Sequence, residues 1–256
     1  ARDTAQPAAD LLDLPVTLDP ALRERCFGRF EGRTFKEIED SWPDEAHAWR
    51  KRHPDWAPPD GGETLLQLRE RVQRAVCAQL DAFEAVWGQA PDYVDGHQHV
   101  HQLPQVRDIL LAELSRRYGR QPLRPWLRRT RPRPGPQGVD FKQRVIQALG
   151  ATAFERLARN AGFELNGALL GVYGFDADAP GYARRLQAWL SQAQEGDVLM
   201  MHPAAPLPAA ATDTARTSDG IAAARAVEYT VLREQGPQLL AHAGVQPHRL
   251  ERRPVS

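Results

Sequence analysis

His97, His99 and His101 stand at alternate positions within Tyr93-Val94-Asp95-Gly96-His97-Gln98-His99-Val100-His101-Gln102-Leu103-Pro104, and they are three of the chain's eight histidines. In an extended strand, residues two apart share a face. The three imidazoles and the Asp95 carboxylate would then line up together. Neighbouring rings would lie about 6.6 Å apart at ~3.3 Å rise per residue, and two of them can converge on one metal at about 2.0–2.1 Å. His97 and His101, ~13 Å apart in a straight strand, share an ion only if the strand ends and the chain bends. The row therefore predicts a metal or catalytic site at a strand end. His202 is a second candidate. It follows the apolar run Val198-Leu199-Met200-Met201 and precedes Pro203, which puts it at the C-terminal end of a strand, where a near-neutral imidazole can pass a proton. His47, His53, His242 and His248 stand singly among polar neighbours and are expected at the surface.

The elements that must position these side chains follow from periodicity and breakers. Pro15 to Asp19 reads as a strand, Phe35 to Trp42 as a helix and Pro54 to Gly62 as a loop. Thr64 to Val76 is helical, with Leu65, Leu68 and Val72 on one stripe. Ala78 to Trp87 is helical with Leu80, Phe83 and Trp87 in register, and Gly88 ends it. Pro104 opens a helix to Tyr118. Gly119 to Gly138, with six arginines among prolines and Trp126 as its one aromatic, is expected to be a solvated loop. Phe141 to Asn160 is an amphipathic helix. Strand Ala168 to Tyr173, helix Tyr182 to Leu190, strand Asp197 to Met201 and helix Ile221 to Leu232 then alternate, as α/β chains do.

Whole-chain properties exclude several classes. The 256 residues suit one large or two small domains, and 42% hydrophobic content supports a core. The formal net charge is zero, which gives no reason to expect a nucleic-acid partner or an anionic membrane surface. No apolar run approaches the roughly 18 residues of a membrane span, and no secretory leader is expected. Cys26 and Cys77 lack a CxxC spacing and are too few for a disulfide framework, so a reducing, cytoplasmic setting is expected. Only Lys36, Lys51 and Lys142 are lysines among 33 basic residues, a bias that reads as a GC-rich genome more than as a function.

Two resemblances run through the chain. Residues 1–76 resemble an internal segment of the histidine phosphatase (phosphoglycerate mutase-like) superfamily. The residues that carry this are Ala1-Arg2-Asp3-Thr4-Ala5, Leu22-Arg23-Glu24-Arg25-Cys26-Phe27-Gly28, Phe30-Glu31-Gly32, Pro59-Asp60-Gly61-Gly62-Glu63-Thr64 and Arg71-Val72. By that resemblance Glu24 falls on the acid residue. The Arg-His-Gly motif with the phosphorylated histidine does not occur, so Glu24 has no nucleophile to serve.

From about Ala78 the chain resembles the YdjC-like carbohydrate deacetylases, which include chitooligosaccharide and hopanoid-associated members. Pro91 to Pro104 carries the match, with Asn166-Gly167, Gly171-Val172-Tyr173, Trp189-Leu190, Asp197 to Pro203, Ser218-Asp219-Gly220-Ile221, Ala224-Arg225 and Glu228. The resemblance implies hydrolysis of N-acetyl groups on amino sugars with a divalent metal, Mg or Zn. It makes His97 a metal ligand and His202 a catalytic proton donor, and it assigns Asp95, His99 and His101 to the substrate-binding surface. The family's Asp-Asp pair and Gly-x-His motif do not occur before Asp95, so impaired turnover is expected. The implied architecture is α/β, an incomplete (β/α) barrel-like fold over residues 77–256 preceded by a partial phosphatase segment over 1–76. The expected partner is a small N-acetylated sugar. The sequence leaves the oligomeric state open.

Overall fold

A computed structural model of the chain describes residues 23–133, 147–205, 220–248 and 253–254, without the side chains of His97, Gln98, Gln147, Leu149, Arg253 and Pro254. The strand expected at Pro15–Asp19, the motif pieces before Arg23, residues 134–138 and 141–146, and Ser218-Asp219 lie outside it. The described residues form two compact units: 23–91 with 103–121, and 92–102 with the remainder from 122 onward.

The first unit is helical. Helix α1 (Phe35–Ser41) starts in a capping box, in which the Thr34 hydroxyl accepts from the Glu37 N–H and the Glu37 carboxylate accepts from the Thr34 N–H. Helix α2 (Pro43–Lys51) has Pro43 at its first turn, acids at its start and bases at its end, as the helix dipole favours. Their small core is Phe30, Ile38 and Ala46, walled by Phe27, Trp42, Trp49 and Trp56. In the same unit a buried Arg71 guanidinium grips both oxygens of the Glu63 carboxylate, at 2.8 and 2.7 Å.

Helix α3 runs unbroken from Leu65 to Trp87, between a Thr64–Gln67 capping box and the left-handed Gly88. The two helical stretches read from the sequence are therefore one helix, because Val76-Cys77-Ala78 contains no breaker. Helix α4 (Pro104–Tyr118) has the expected bounds and packs on α3. Arg117 on α4 ties the pair, donating to Glu113, Glu84 and Asp81 at 2.6, 2.9 and 2.6 Å.

The second unit is α/β. Strand β1 (Tyr93–Val94) pairs in parallel with β3 (Trp126–Leu127), and β4 (Leu169–Leu170) pairs in parallel with β5 (Val198–Leu199). Leu127 bridges Leu165 in parallel, and the Leu169 N–H donates to the Arg131 carbonyl. Strand β2 (Leu123–Arg124) pairs antiparallel with β6 (Arg253–Pro254). The helices are α5 (Thr152–Asn160), α6 (Ala179–Gln192) and α7 (Ala222–Ala243). A π-turn at Gln147–Ala151 precedes α5, and Gly150 at φ 118° breaks the long helix expected there. Helix α7 outruns its expected end at Leu232 and contains Pro237. Tyr173, Tyr182, Leu186, Leu190 and Val231 form the main core between α6 and α7. The described residues show the expected α/β mixture, helix-rich with short strands, and no closed barrel among them.

Two expectations are corrected here. His97–Gln102 is a 3-10 helix and not a strand, so the alternate histidines do not share one face. The arginine-rich stretch after Gly119 is not a solvated loop as far as Arg133. It supplies β2 and β3, and Trp126 and Arg128 are only 4% and 5% exposed. Its backbone has partners in the sheet. The N–H groups of Trp126, Leu127 and Arg128 donate to the carbonyls of Asp92, Glu164 and Val94, which removes the need for water.

Candidate functional site

The histidine motif is folded around Arg128. Asp95 accepts from Arg128 Nη2 at 2.5 Å, and His99 Nδ1 lies 3.0 Å from Arg128 Nη1. The guanidinium can only donate, so the His99 Nδ1 in that contact is the acceptor. Arg128 Nη2 also reaches the Gly96 carbonyl at 3.3 Å. His99 sits in the left-handed region at φ 64°, uncommon for a residue with a side chain, and this lets the chain double back after β1. Gly96 makes that turn possible, since a Cβ there would come within 2.8 Å of the His101 ring.

His101 is buried at 2% exposure, edge-on to the Phe154 ring. The Gly96 N–H donates to its Nδ1 at 3.1 Å, so Nε2 carries the proton and donates to the Arg128 carbonyl at 2.8 Å. Burial, then the neighbouring Arg128 charge, hold the imidazole below its ordinary pKa, and it stays neutral. Both ring nitrogens are engaged. Gln102, also buried, accepts from the Thr130 hydroxyl.

His202 belongs to a different cluster in the same unit, just past β5. Its backbone N–H donates to Glu228 Oε2 at 2.5 Å, while the Tyr173 hydroxyl donates to Glu228 Oε1 at 2.7 Å. Glu228 on α7 is fully buried. Burial, then the bond to Glu228, push the Tyr173 hydroxyl well above the ordinary tyrosine range, which keeps it a donor. Phe175 meets the His202 ring edge-on at 5.2 Å and packs against Tyr173 at 4.8 Å. Asp197, at the head of β5, fixes the strand: its carboxylate accepts from the Ala168 and Gln194 N–H groups and from Arg133.

Asp95, His99 and His101 are thus brought together, with Arg128 as the centre that sequence reasoning left in a loop. His202 has its own partners. Glu24 lies in the other unit, exposed, with its carbonyl facing Arg71 at 3.5 Å. His47, His53, His242 and His248 are exposed, as expected. Glu228 and Tyr173 had no role assigned from sequence. A signal for Glu228 existed: with Ala224 and Val231 it falls at helical spacing on the buried face of α7.

The described donors do not fit a divalent ion. No group of three or more His, Cys, Asp or Glu side chains among the described residues could hold one. Asp95 is already paired with a guanidinium, and the one lone pair of neutral His101 is taken by an N–H. The His97 side chain lies outside the described set. Among the described residues, no helix is long and apolar enough to cross a membrane.

Comparison with known proteins adds a family. The profile of a family described as YdjC-like protein matches residues 40–241. Chitooligosaccharide deacetylases of Yersinia pestis (strain Pestoides F) and Yersinia pseudotuberculosis serotype O:1b (strain IP 31758) are each 39% identical over 57 residues. That stretch covers 22% of this chain and 22% of each relative.

Proposed function

Since this chain belongs to the YdjC-like protein family, we propose that it is a carbohydrate deacetylase by descent, acting on N-acetylated amino sugars of the chitooligosaccharide kind. The observation that carries the reading is the span of the family match. At residues 40–241 it takes in both the histidine motif and the His202 strand end. The matched relatives' name supplies the substrate class. In this reading His202 is the proton donor to the departing amine. Glu228 holds its backbone at the end of β5, and Phe175 limits how the ring turns. Asp95, His99 and His101 contribute to the wall of the substrate site.

Family membership carries a divalent metal with it, Mg or Zn, and in the proposal His97 holds it with at most one neighbour. A bound ion of this kind supplies carbonyl polarisation and an acidified water. The described residues do not complete such a site, so weak binding is the expectation. A catalytic zinc usually has three protein ligands. Zinc titration followed by calorimetry should give weak binding that His97→Ala reduces further. Unchanged affinity in the variant would remove His97 as a ligand.

Turnover is proposed to be slight in the chain as it stands, because the motif's carboxylate is paired with Arg128 and the described residues assemble no group of three or more His, Cys, Asp or Glu that could hold a metal. Loss of a positioned base costs typically about 10²–10⁴-fold. Acetate release from diacetylchitobiose should therefore be near background. Robust metal-dependent release, abolished by His202→Ala, would overturn this and leave the family reading intact.

A second reading has one observation behind it. The Asp95–Arg128 pair, at 2.5 Å, suits a fixed binding surface better than a general base. An inactive sugar-binding protein would bind N-acetylated oligosaccharides in calorimetry with no amine released. We further propose a cytoplasmic location and a compound ancestry, with a histidine-phosphatase-like start joined near residues 76 and 77 and Glu24 as its acid remnant. The YdjC-like match begins at residue 40 and α3 runs through that joint, so the two ancestries would overlap within one folded unit. A phosphatase start in the upstream reading frame would support the compound ancestry, and a YdjC-like start there would remove it.

A further inference from the structure

The first unit contains a cleft of about 300 Å³ that the deacetylase reading does not use. Phe27, Trp49, Trp56 and Leu65 form its apolar wall, and Arg25, Arg52 and His53 stand over it. None of the residues lining it is an aspartate or glutamate. Its volume is at the small end for ligand pockets, enough for a single ring.

The cations are the informative part. Arg25 is half-buried, and its Nε and Nη2 both donate to the backbone carbonyl of Glu63, at 3.1 and 3.0 Å. The Glu63 carboxylate is itself taken by Arg71 through two bonds. Arg25 is thus oriented by a neutral oxygen, its guanidinium lying 5.2 Å from the Phe27 ring centroid. Burial holds its pKa below the ordinary arginine value, the mark of a cation short of solvent and only partly compensated by the Glu63 charge. Arg52 is exposed and caps α2 from the left-handed region at φ 50°, a position where helices usually place glycine or asparagine. Backbone strain at a cleft rim points to use of the side chain.

We propose that this cleft binds a small ring carrying one anionic group, a carboxylate or a phosphate, with its flat face against Trp49 and Trp56 and its anion between Arg25 and Arg52. Guanidinium forks match carboxylate and phosphate oxygens. Indole faces take either an aromatic ring or the C–H face of a pyranose. The ligand is therefore an acidic monosaccharide or an aromatic acid, and the probes separate the two.

The experiment uses the full chain and follows tryptophan fluorescence and calorimetry. The probes are glucuronate, glucose 6-phosphate, benzoate and neutral glucose. At least one of the three anionic probes should give a saturable signal that weakens with added salt, while glucose gives none. Glucuronate or glucose 6-phosphate binding in preference to benzoate makes the ligand a sugar, and the reverse makes it an aromatic acid. Arg52→Gln, at an exposed position, should weaken binding about five- to tenfold with an unchanged circular dichroism spectrum. Trp56→Phe should reduce the fluorescence change. Failure of all three anionic probes to saturate at 20 mM, or equal binding of glucose and glucuronate with Arg52→Gln silent, overturns the proposal. None of these readouts involves deacetylation, so the test stands apart from the function proposed above.

Discussion

At the scale of single residues, the histidine motif shows how one arginine changes what its neighbours can do. Asp95 and His99 both turn to Arg128, and His101 uses one ring nitrogen on the Gly96 N–H of its own turn and the other on the Arg128 carbonyl. His101 is held neutral by burial and by the Arg128 charge. A base with a folded pKa below its unfolded value, near 6.5, loses stability as pH falls. The unfolded chain then takes up a proton that the folded site refuses. The penalty is absent above about pH 7 and grows as pH drops through the histidine range. Urea denaturation should show lower stability at pH 5.5 than at pH 7.5, with a smaller difference in His101→Asn. His101→Ala should cost about 3 kcal/mol, since it empties space beside Phe154 and leaves the Gly96 N–H and Arg128 carbonyl unpaired. A cost under about 1 kcal/mol would mean that the ring is not held as described.

At the scale of elements, charge ties α4 to α3 through Arg117, which donates to Glu84 and Asp81, and Glu113 on α4 orients that arginine. Glu113 accepts from Arg116 and Arg117, and its carboxyl is held down to about 2 by the Arg116 bond first, against the opposing effect of burial. A depressed carboxylate stabilises the fold fully above its unfolded pKa, near 4.3, and the contribution is lost as pH falls toward 2. Glu113→Ala removes one of the three carboxylates around Arg117, leaving Asp81 and Glu84, and takes the partner of Arg116 as well, and should cost about 3 kcal/mol at pH 7. The gap between wild type and variant should narrow between pH 4.5 and pH 2. Chemical denaturation across that range tests it, and a gap independent of pH would assign the cost to packing. Caps matter at the same scale. Thr34 and Thr64 each satisfy an otherwise orphaned N–H, which explains why α1 and α3 start where they do.

At the scale of the whole molecule, the two units differ in what holds them. The α1–α2 region rests on three buried apolar residues ringed by half-buried aromatics, whereas α6 and α7 share a larger core that includes Tyr182 and Leu186. Stability is not uniform where buried apolar contact is not. Native-state hydrogen exchange should find the amides of α1 and α2 less protected than those of α6 and α7. Within α3, protection should pass residues 76 and 77 without a step, because one helix crosses them. Equal, global-level protection in both units would count strongly against this picture.

What the sequence determined by itself was largely local. Pro104, Gly88 and the alternation of apolar runs marked α3, α4, α6 and the β4–β5 segments, since capping, breakers and periodicity act within a few residues. Family membership was also legible, and the family match over residues 40–241 takes in both the histidine motif and the His202 strand end that carried the resemblance. Tertiary structure alone decided the rest. The histidine row reads as a strand by alternation, yet it coils because Gly96 lets the His101 ring approach and Arg128 draws Asp95 and His99 inward from 29 or more residues away. The same long-range pairing turned an arginine-rich loop into a buried strand. Glu228 gained its place beside Tyr173 and His202 only when α7 packed against α6. A charge on an apolar face is a cost in the sequence. It becomes an anchor once the fold brings two donors to it.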